Sequence, residues 1–479
     1  CQGLRVQPIL VQAVSKTASV GKIYLPDCSY REMTEWALPT QQQLTLHDLI
    51  HRGDDHPDFA AAKPFLRGGF WRNFKVKYEE ANEMYCRMLS ISQRVNEAAA
   101  ASNLDPETLA EIRDHLYRGQ CNCPYWHGAF GGIYLPHLRN AIFSHLIQAE
   151  NRLETAHRGA DAKWVEGSAD DWNHDGMQEV TLSTDQYCMI AAPARGGRLL
   201  QWDLRETAHN LLATMQRRSE PYHEKVRKGP SDDAGEVASI HDRVVFKQEG
   251  LDQCLQVDAF PRKTLMDRFY DEDVTLQQVA DGTAAERGDF VDMPYQAKLR
   301  RATDKVQLQM HRDGNAWGID LSITKAITVS AGSNEVNITY LLENLPAERP
   351  FHFGIEMNFA GLPDGADDRF FSDPAGQRLG QLGQRLDLQD ARGISLTDQW
   401  MGVHVSLEMD RDSGLWTFPI QTVSQSEAGF ELVHQSVCVQ PHWMVVGDAD
   451  GRWSVQMTLR TLQGDAARNA VQHVAEMAF

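Results

Sequence analysis

The sequence predicts a chain of mixed α and β structure, in which a partial (β/α) barrel end leads through a helical domain into a large antiparallel β-sandwich. Three observations carry this expectation. Apolar residues recur at helical spacing between residues 46 and 160. The period switches to two beyond about Gly167. A short strand, a polar loop and an acidic helical turn precede residue 46 in that order. The expected divisions are 1–45 as the barrel remnant, 46–160 as the helical central domain and 168–479 as the sandwich.

In the first division, Lys22-Ile23-Tyr24-Leu25-Pro26 reads as the strand, followed by Asp27-Cys28-Ser29-Tyr30-Arg31-Glu32-Met33-Thr34-Glu35-Trp36. A barrel presents side chains at its C-terminal rim through such a strand, loop and turn. Ser29 is a candidate cap, with Glu32 three residues on completing a capping box. That accounts for Glu32 but not for Glu35 and Trp36 together.

In the second division, Phe74, Tyr78, Ala81, Tyr85, Met88, Ile91 and Val95 trace one face of an amphipathic helix, with Glu83 and Arg87 expected to pair on another face. A second helix is expected from Pro106 to about Tyr117, capped by Asp105, and a third from about Leu135 to Leu153. Arg158 to Asp170 reads as a linker. Strands are then expected at 180–182, 187–190, 255–257, 306–308, 321–323, 326–329, 336–340, 404–407 and 453–457, with a hairpin turn at Gly332-Ser333-Asn334. The segment from Leu204 to Gln216 reads as a helical insertion.

With 479 residues, 42% of them apolar and 24% charged, the chain is long enough for about two to four globular domains. A formal net charge of −19 disfavours nucleic acid or an anionic membrane as the main partner. No apolar run reaches the roughly 18 residues of a membrane helix. Of the eight cysteines only Cys121 and Cys123 are close in sequence. This sparse, irregular set suits a reducing compartment, so a cytoplasmic location is expected. The chain begins at Cys1 without a signal-peptide pattern.

The densest chemistry lies in Gln120-Cys121-Asn122-Cys123-Pro124-Tyr125-Trp126-His127-Gly128-Ala129-Phe130-Gly131-Gly132. As a metal site it offers Cys121, Cys123 and His127, but the Cys-x-Cys spacing is not that of a zinc knuckle. As a nucleophile site it lacks a demonstrated base and orienting amide. As a sugar platform it offers Trp126 for stacking, Asn122 and His127 for hydroxyls, and glycines that admit a close ligand. A packing turn with buried aromatics is the fourth alternative. Separately, Asp171, Asn173, Asp175 and Glu179 supply oxygen ligands at positions 1, 3, 5 and 9 of a loop with Gly176 at position 6. That pattern suits a structural Ca²⁺ and equally an Asx-rich turn.

The stretch from Gln120 to Gly128, continued by Phe130-Gly131-Gly132-Ile133-Tyr134-Leu135-Pro136-His137-Leu138-Arg139, resembles a signature region of glycoside hydrolase family 57, the 4-α-glucanotransferase and α-amylase family. The segment from Ser29 to Pro39 is similar to one late in that family's catalytic barrel. Phe353-Gly354-Ile355-Glu356-Met357-Asn358-Phe359-Ala360 is similar to a strand of its C-terminal sandwich. The resemblance covers nearly the whole chain, in order. It implies a seven-stranded barrel, a helical region and a mutarotase-like super-sandwich, acting on α-1,4-glucans by a retaining mechanism that needs no cofactor.

The resemblance makes α-glucan or maltooligosaccharide the expected partner. It makes Tyr30, Glu35, Trp36, Asn122, Trp126 and His127 the expected substrate-side residues. No segment matches the family's nucleophile or acid/base motifs. The expectation is therefore the family's C-terminal half to two-thirds, with no catalytic residue in this chain; an α-glucan- or partner-binding module without catalysis is the alternative. Cys123 stands where glucanotransferases of the family carry a sugar-contacting Asp, and a thiol is a poor acceptor for hydroxyls. A further constellation is Glu356 with His352, His442 and Trp443, residue types suited either to proton transfer at an anomeric carbon or to a buried polar network.

Overall fold

The computed structural model describes residues 31–102, 104–127, 131–229, 245–426 and 429–469. The predicted strand at residues 22–26, the Ser29 cap and Tyr30 lie outside the described residues. Helices come first: α1 (Arg31–Trp36), α2 (Thr40–Gly53), α3 (Phe59–Ala62), α4 (Trp71–Lys77), α5 (Glu79–Ala100), α6 (Pro106–Arg118) and α7 (Pro136–Arg158). Asp105 caps α6 as expected, accepting from the backbone N–H groups of Glu107 and Thr108 at 3.1 and 2.9 Å. The single helix expected through Phe74 and Val95 is broken at Tyr78, whose backbone leaves the helical region (φ −117°, ψ 88°). The break turns Tyr78 into the interior, where its ring is fully buried.

The Glu83–Arg87 pair does not form. Arg87 is buried and reaches away from its own helix to Glu150 on α7 (2.7 Å) and to Asp203 (2.9 Å), while Glu83 receives Lys263 at 2.5 Å. Tertiary partners fully desolvated with the guanidinium outcompete an i,i+4 contact worth only a few tenths of a kcal/mol. Arg94 joins the same network through Glu150 and Glu154, clamping α5 to α7.

The strands follow. A five-stranded sheet runs β1 (Val165–Asp170), β2 (Glu179–Thr184), β3 (Tyr187–Ala192), β4 (Arg198–Leu204) and β5 (His209–Asn210) in sequence order. The predicted helical insertion after Leu204 is instead a tight turn into β5. The helices α8 (His223–Lys228) and α9 (Leu276–Asp281) punctuate the rest. Leu255 to Val257, expected as a strand, leads out of a single 3₁₀ turn at Leu251–Cys254. The twelve-stranded second sheet contains β6 (Met266–Tyr270), β7 (Gln296–Arg301), β8 (Lys305–Ala316), β9 (Ile319–Ser330), β10 (Glu335–Glu343), β11 (Phe351–Ala360), β12 (Arg369–Ser372), β13 (Arg378–Gln381), β14 (Leu386–Asp398), β15 (Val403–Ser426), β16 (Gly429–Val445) and β17 (Trp453–Gln463).

Pairing is antiparallel throughout these strands. The long β15 is the hinge of the architecture: Val403–Met409 pairs with β17, and Gly414–Ser426 pairs with β16. β16 continues to β11 and then β6. Alternate residues of these strands meet in one large apolar core that draws on both sheets, for example Met189, Trp202, Leu308, Ile327, Tyr340, Phe353, Leu407 and Val455. Within that core Lys325 and Asp267 are fully buried and paired at 2.8 Å, with the hydroxyls of Tyr295 and Tyr340 also donating to Asp267. A second core lies between α5, α6 and α7, and a third between α1, α4, Trp126, Tyr134 and Tyr222.

Candidate active-site cleft

The stretch between α6 and α7 folds as two 3₁₀ turns, Cys123–Tyr125 and Gly132–Tyr134. The second turn is possible because Gly132 takes φ +50° and lets the Ile133 N–H reach the Trp126 carbonyl at 2.7 Å; a Cβ there would sit 1.9 Å from that oxygen. This return throws Trp126 and His127 inward. Trp126 lies against Phe74 (ring centroids 5.0 Å). His127 is fully buried among Trp36 (4.4 Å), Tyr134 (4.7 Å), Tyr222 (5.8 Å) and Tyr78 (5.9 Å). Its Nδ1 faces the Gly131 carbonyl at 3.2 Å, and its Nε2 is buried without a hydrogen-bond partner among the described residues. Burial pushes the imidazole down to about 4, so it is neutral at pH 7.

One carboxylate anchors this aromatic group. Glu220 is buried and accepts from Tyr78 Oη (2.7 Å), Tyr134 Oη (2.8 Å) and Lys77 Nζ (3.2 Å). Burial opposes its charge, but Lys77 above all overrides that cost and holds the carboxyl below its usual range. Neither Glu220 nor Tyr222 stands out in the sequence, because each lies roughly 90 or more residues from the signature stretch. Their only local signal is an acid and an aromatic flanking Pro221.

Trp36 links the aromatic group to an open cavity of about 830 Å³ lined by Glu35, Trp36, His47, Tyr222, Lys225 and Gln425 among others. Glu35 projects into it from α1. Burial raises its proton affinity, but hydrogen bonds from His47 (Nε2, 3.0 Å) and Arg31 (Nε, 2.6 Å) prevail and keep it ionised. The predicted residues therefore separate. Glu35 and Trp36 line the cavity. Trp126 and His127 stand behind it as packing, with their rings turned to Phe74 and Trp36. Asn122 is exposed and does not line it. Cys121 and Cys123 are free, exposed thiols.

The Asp171 loop is a closed Asx-rich turn. Asp171 accepts from the N–H groups of Asp175 and Gly176, Asn173 Oδ1 from Asp175, Asp175 from Met177, and Glu179 from Trp172. Burial, together with Asp175 and Asp171, raises Glu179 to about 7. Among the described residues no three His, Cys, Asp or Glu side chains are grouped to hold a metal ion.

The constellation around Glu356 is split by strand alternation. His352, Glu356 and His442 share one face of the sheet, whereas Trp443 points to the other and stacks on Phe353. Glu356 accepts from Arg262, Arg268 and Asn358, which leaves it no freedom to move a proton.

Comparison with known proteins places this geometry in a family. Residues 171–457 match the model for the C-terminal domain, and residues 69–153 the model for the middle domain, of alpha-amylase/4-alpha-glucanotransferase. Alpha-amylase 1 of Dictyoglomus thermophilum is 31% identical over 441 residues, covering 90% of this chain and 60% of that protein. The 4-alpha-glucanotransferase of Thermococcus kodakarensis is 30% identical over 429 residues, covering 89% and 58%. The crystal structure of 4-alpha-glucanotransferase from Thermococcus litoralis superimposes with a TM-score of 0.71 at 27% identity, over 95% of this chain and 62% of that one. The chain thus spans about 60% of the length of the relatives it matches. With its helical and sheet regions matched in order, the chain belongs to the alpha-amylase/4-alpha-glucanotransferase family, glycoside hydrolase family 57.

Proposed function

We propose that this chain serves an α-1,4-glucan-active enzyme of 4-α-glucanotransferase or α-amylase type, and that the Glu35–Trp36 cavity is one wall of its glucan cleft. The observation that carries the reading is the 830 Å³ cavity, in which an ionised carboxylate, an imidazole and two aromatic rings converge beside the family's signature stretch. Glu35 and His47 suit sugar hydroxyls, which both donate and accept. Trp36 and Tyr222 supply apolar ring surface for a pyranose. Trp126 and His127 act as positioning residues that fix the tilt of Trp36. The substrate-side roles of Tyr30 and Asn122 rest on the family resemblance alone.

Retaining chemistry needs two carboxyls about 5 Å apart, and no residue of this chain is assigned to either role. Residues 1–45 are read as the remnant of a (β/α) barrel, residues 46–160 as the helical domain, and residues 168–479 as a mutarotase-like super-sandwich. A cytoplasmic location and a structural Ca²⁺ at Asp171, Asn173, Asp175 and Glu179 complete the proposal. If the ion binds, chelator lowers the melting temperature.

The second reading, a glucan- or partner-binding module without catalysis, is favoured by Glu35 itself. Held ionised by Arg31 and His47, it is a poor general acid. Incubating the chain with maltoheptaose separates the two. Longer or shorter maltooligosaccharides that disappear when a carboxylate of this chain is mutated would exclude the module. Binding without turnover, lost in Trp36→Ala, would support it.

A further inference from the structure

Helical spacing sets which face of α2 turns inward. Gln43, His47, Ile50 and Asp54 recur at intervals of three to four residues, and all four line the Glu35–Trp36 cavity. Gln43 and Ile50 are the two buried residues of this helix. Gln43 is only 2% exposed, at a position where an apolar side chain would be the ordinary choice. Its Oε1 is buried without a hydrogen-bond partner among the described residues.

A second amide reaches the same cavity from β15. Strand alternation puts Gln425 on the face of Val423, which packs in the core shared by Trp36, Tyr134 and Tyr222. The backbone there is held from two sides. Tyr222 Oη donates to the Val423 carbonyl at 3.2 Å, and the ladder to β16 pairs Gln425 with Phe430. Gln425 is 8% exposed and lines the cavity, and its amide has no hydrogen-bond partner among the described residues.

The charged groups of the lining are committed elsewhere. Glu35 bonds Arg31 and His47, Asp54 bonds Lys63, and Glu224 bonds Arg227. The two neutral amides are left open to a ligand. Each offers a carbonyl acceptor and two N–H donors, and the hydroxyls of a pyranose both give and take hydrogen bonds. An anion would use only the donors and a cation only the acceptors. A buried amide without a partner destabilises the free chain, and a sugar hydroxyl that meets it recovers that loss on binding. We propose that Gln43 and Gln425 bind hydroxyls of the α-glucan in this cavity, one from α2 and one from β15, so that the sheet region completes the cleft. The identity of the ligand rests on the cleft reading given above.

Calorimetric titration with maltoheptaose, paired with thermal unfolding, tests the pair in the unaltered chain, Trp36→Ala, Gln43→Met and Gln425→Met. Methionine keeps the unbranched shape of glutamine and removes its amide. Each methionine variant is expected to weaken binding roughly three- to tenfold, the effect of losing a neutral hydrogen bond. Its melting temperature is expected to equal or exceed that of the unaltered chain, because an unpaired buried amide has been removed. A purely structural glutamine would move the melting temperature and leave the affinity alone. Unchanged affinity in either methionine variant overturns the proposal, as does weakened binding that comes with a lower melting temperature. If Trp36→Ala abolishes binding while the methionine variants bind normally, the cleft reading stands and the amide pair falls. No binding by the unaltered chain, or binding untouched by Trp36→Ala, overturns the cleft reading and the pair with it. Should a methionine variant not fold, Gln43→Asn or Gln425→Asn gives the readout. Asparagine keeps the amide but draws it back by one methylene, so affinity falls by a similar factor if the amide holds sugar; unchanged affinity there contradicts the proposal.

Discussion

At the scale of single residues, His127 shows how the surroundings decide what a side chain does. The sequence offers it as a ligand or a sugar contact; the fold buries it among four aromatic rings, and desolvation lowers it to about 4. The unfolded chain binds a proton there near the ordinary histidine value of about 6.5. The folded state then holds fewer protons than the unfolded state between pH 6.5 and 4, so stability falls as the pH drops through that window. The difference between the ordinary value and about 4 corresponds to about 3 kcal/mol. Urea denaturation between pH 7.5 and 4 should show a loss of that order, removed in His127→Phe. A pH profile identical in the variant would show that the ring is not buried neutral. Glu35 and Trp36 were legible from the sequence because the expected capping box with Ser29, which lies outside the described residues, would account for Glu32 alone and leaves them over. Glu220 was not: its partners Tyr78 and Tyr134 come from other elements, and nothing local marks a carboxylate that will accept two phenol hydroxyls.

At the scale of elements, backbone conformation carries the argument. The 3₁₀ turn at Gly132–Tyr134 requires φ +50° at Gly132 and has no room for a Cβ. Gly132→Ala should cost roughly 2 kcal/mol or more, from left-handed strain and the displaced Trp126 carbonyl. Loss of maltooligosaccharide binding should accompany the fall in melting temperature, because the same turn seats His127 under Trp36. Full stability in this variant would mean that the turn is built differently. Asp105→Ala is the contrasting case. It removes an exposed cap of α6 and should cost about 1 kcal/mol with glucan binding unchanged. Elements with a strong period were readable in the sequence, among them α6, α7, β2, β3, β8, β10 and β17. Those whose boundaries depend on distant contacts were not. Tyr78 interrupts a helix to reach Glu220, and the segment after Leu204 turns back into β5, where His209 pairs with Leu204 and its ring faces the Ala360 carbonyl at 3.1 Å.

At the scale of the whole molecule, buried ion pairs tie the layers together. Lys325 on β9 bonds Asp267 on β6 and the carbonyls of Gly196 and Leu265, each at 2.8 Å. Lys325→Met leaves Asp267 charged and buried, and should destabilise the sheet region by about 3–5 kcal/mol in equilibrium unfolding. A loss below 1 kcal/mol would mean that the pair is not desolvated in solution. The succession of helices and then antiparallel sheet was evident from the change of period. The branching at β15 was not, since no residue pattern states which half of a 24-residue strand pairs with which neighbour. The central claim is that α-glucan occupies the cavity between α1, α2 and Tyr222. A crystal structure of this chain soaked with maltoheptaose tests it most directly. The account predicts glucose units against Trp36 and Tyr222, with hydroxyls on Glu35 and His47; an empty cavity with sugar bound elsewhere on the chain would contradict it.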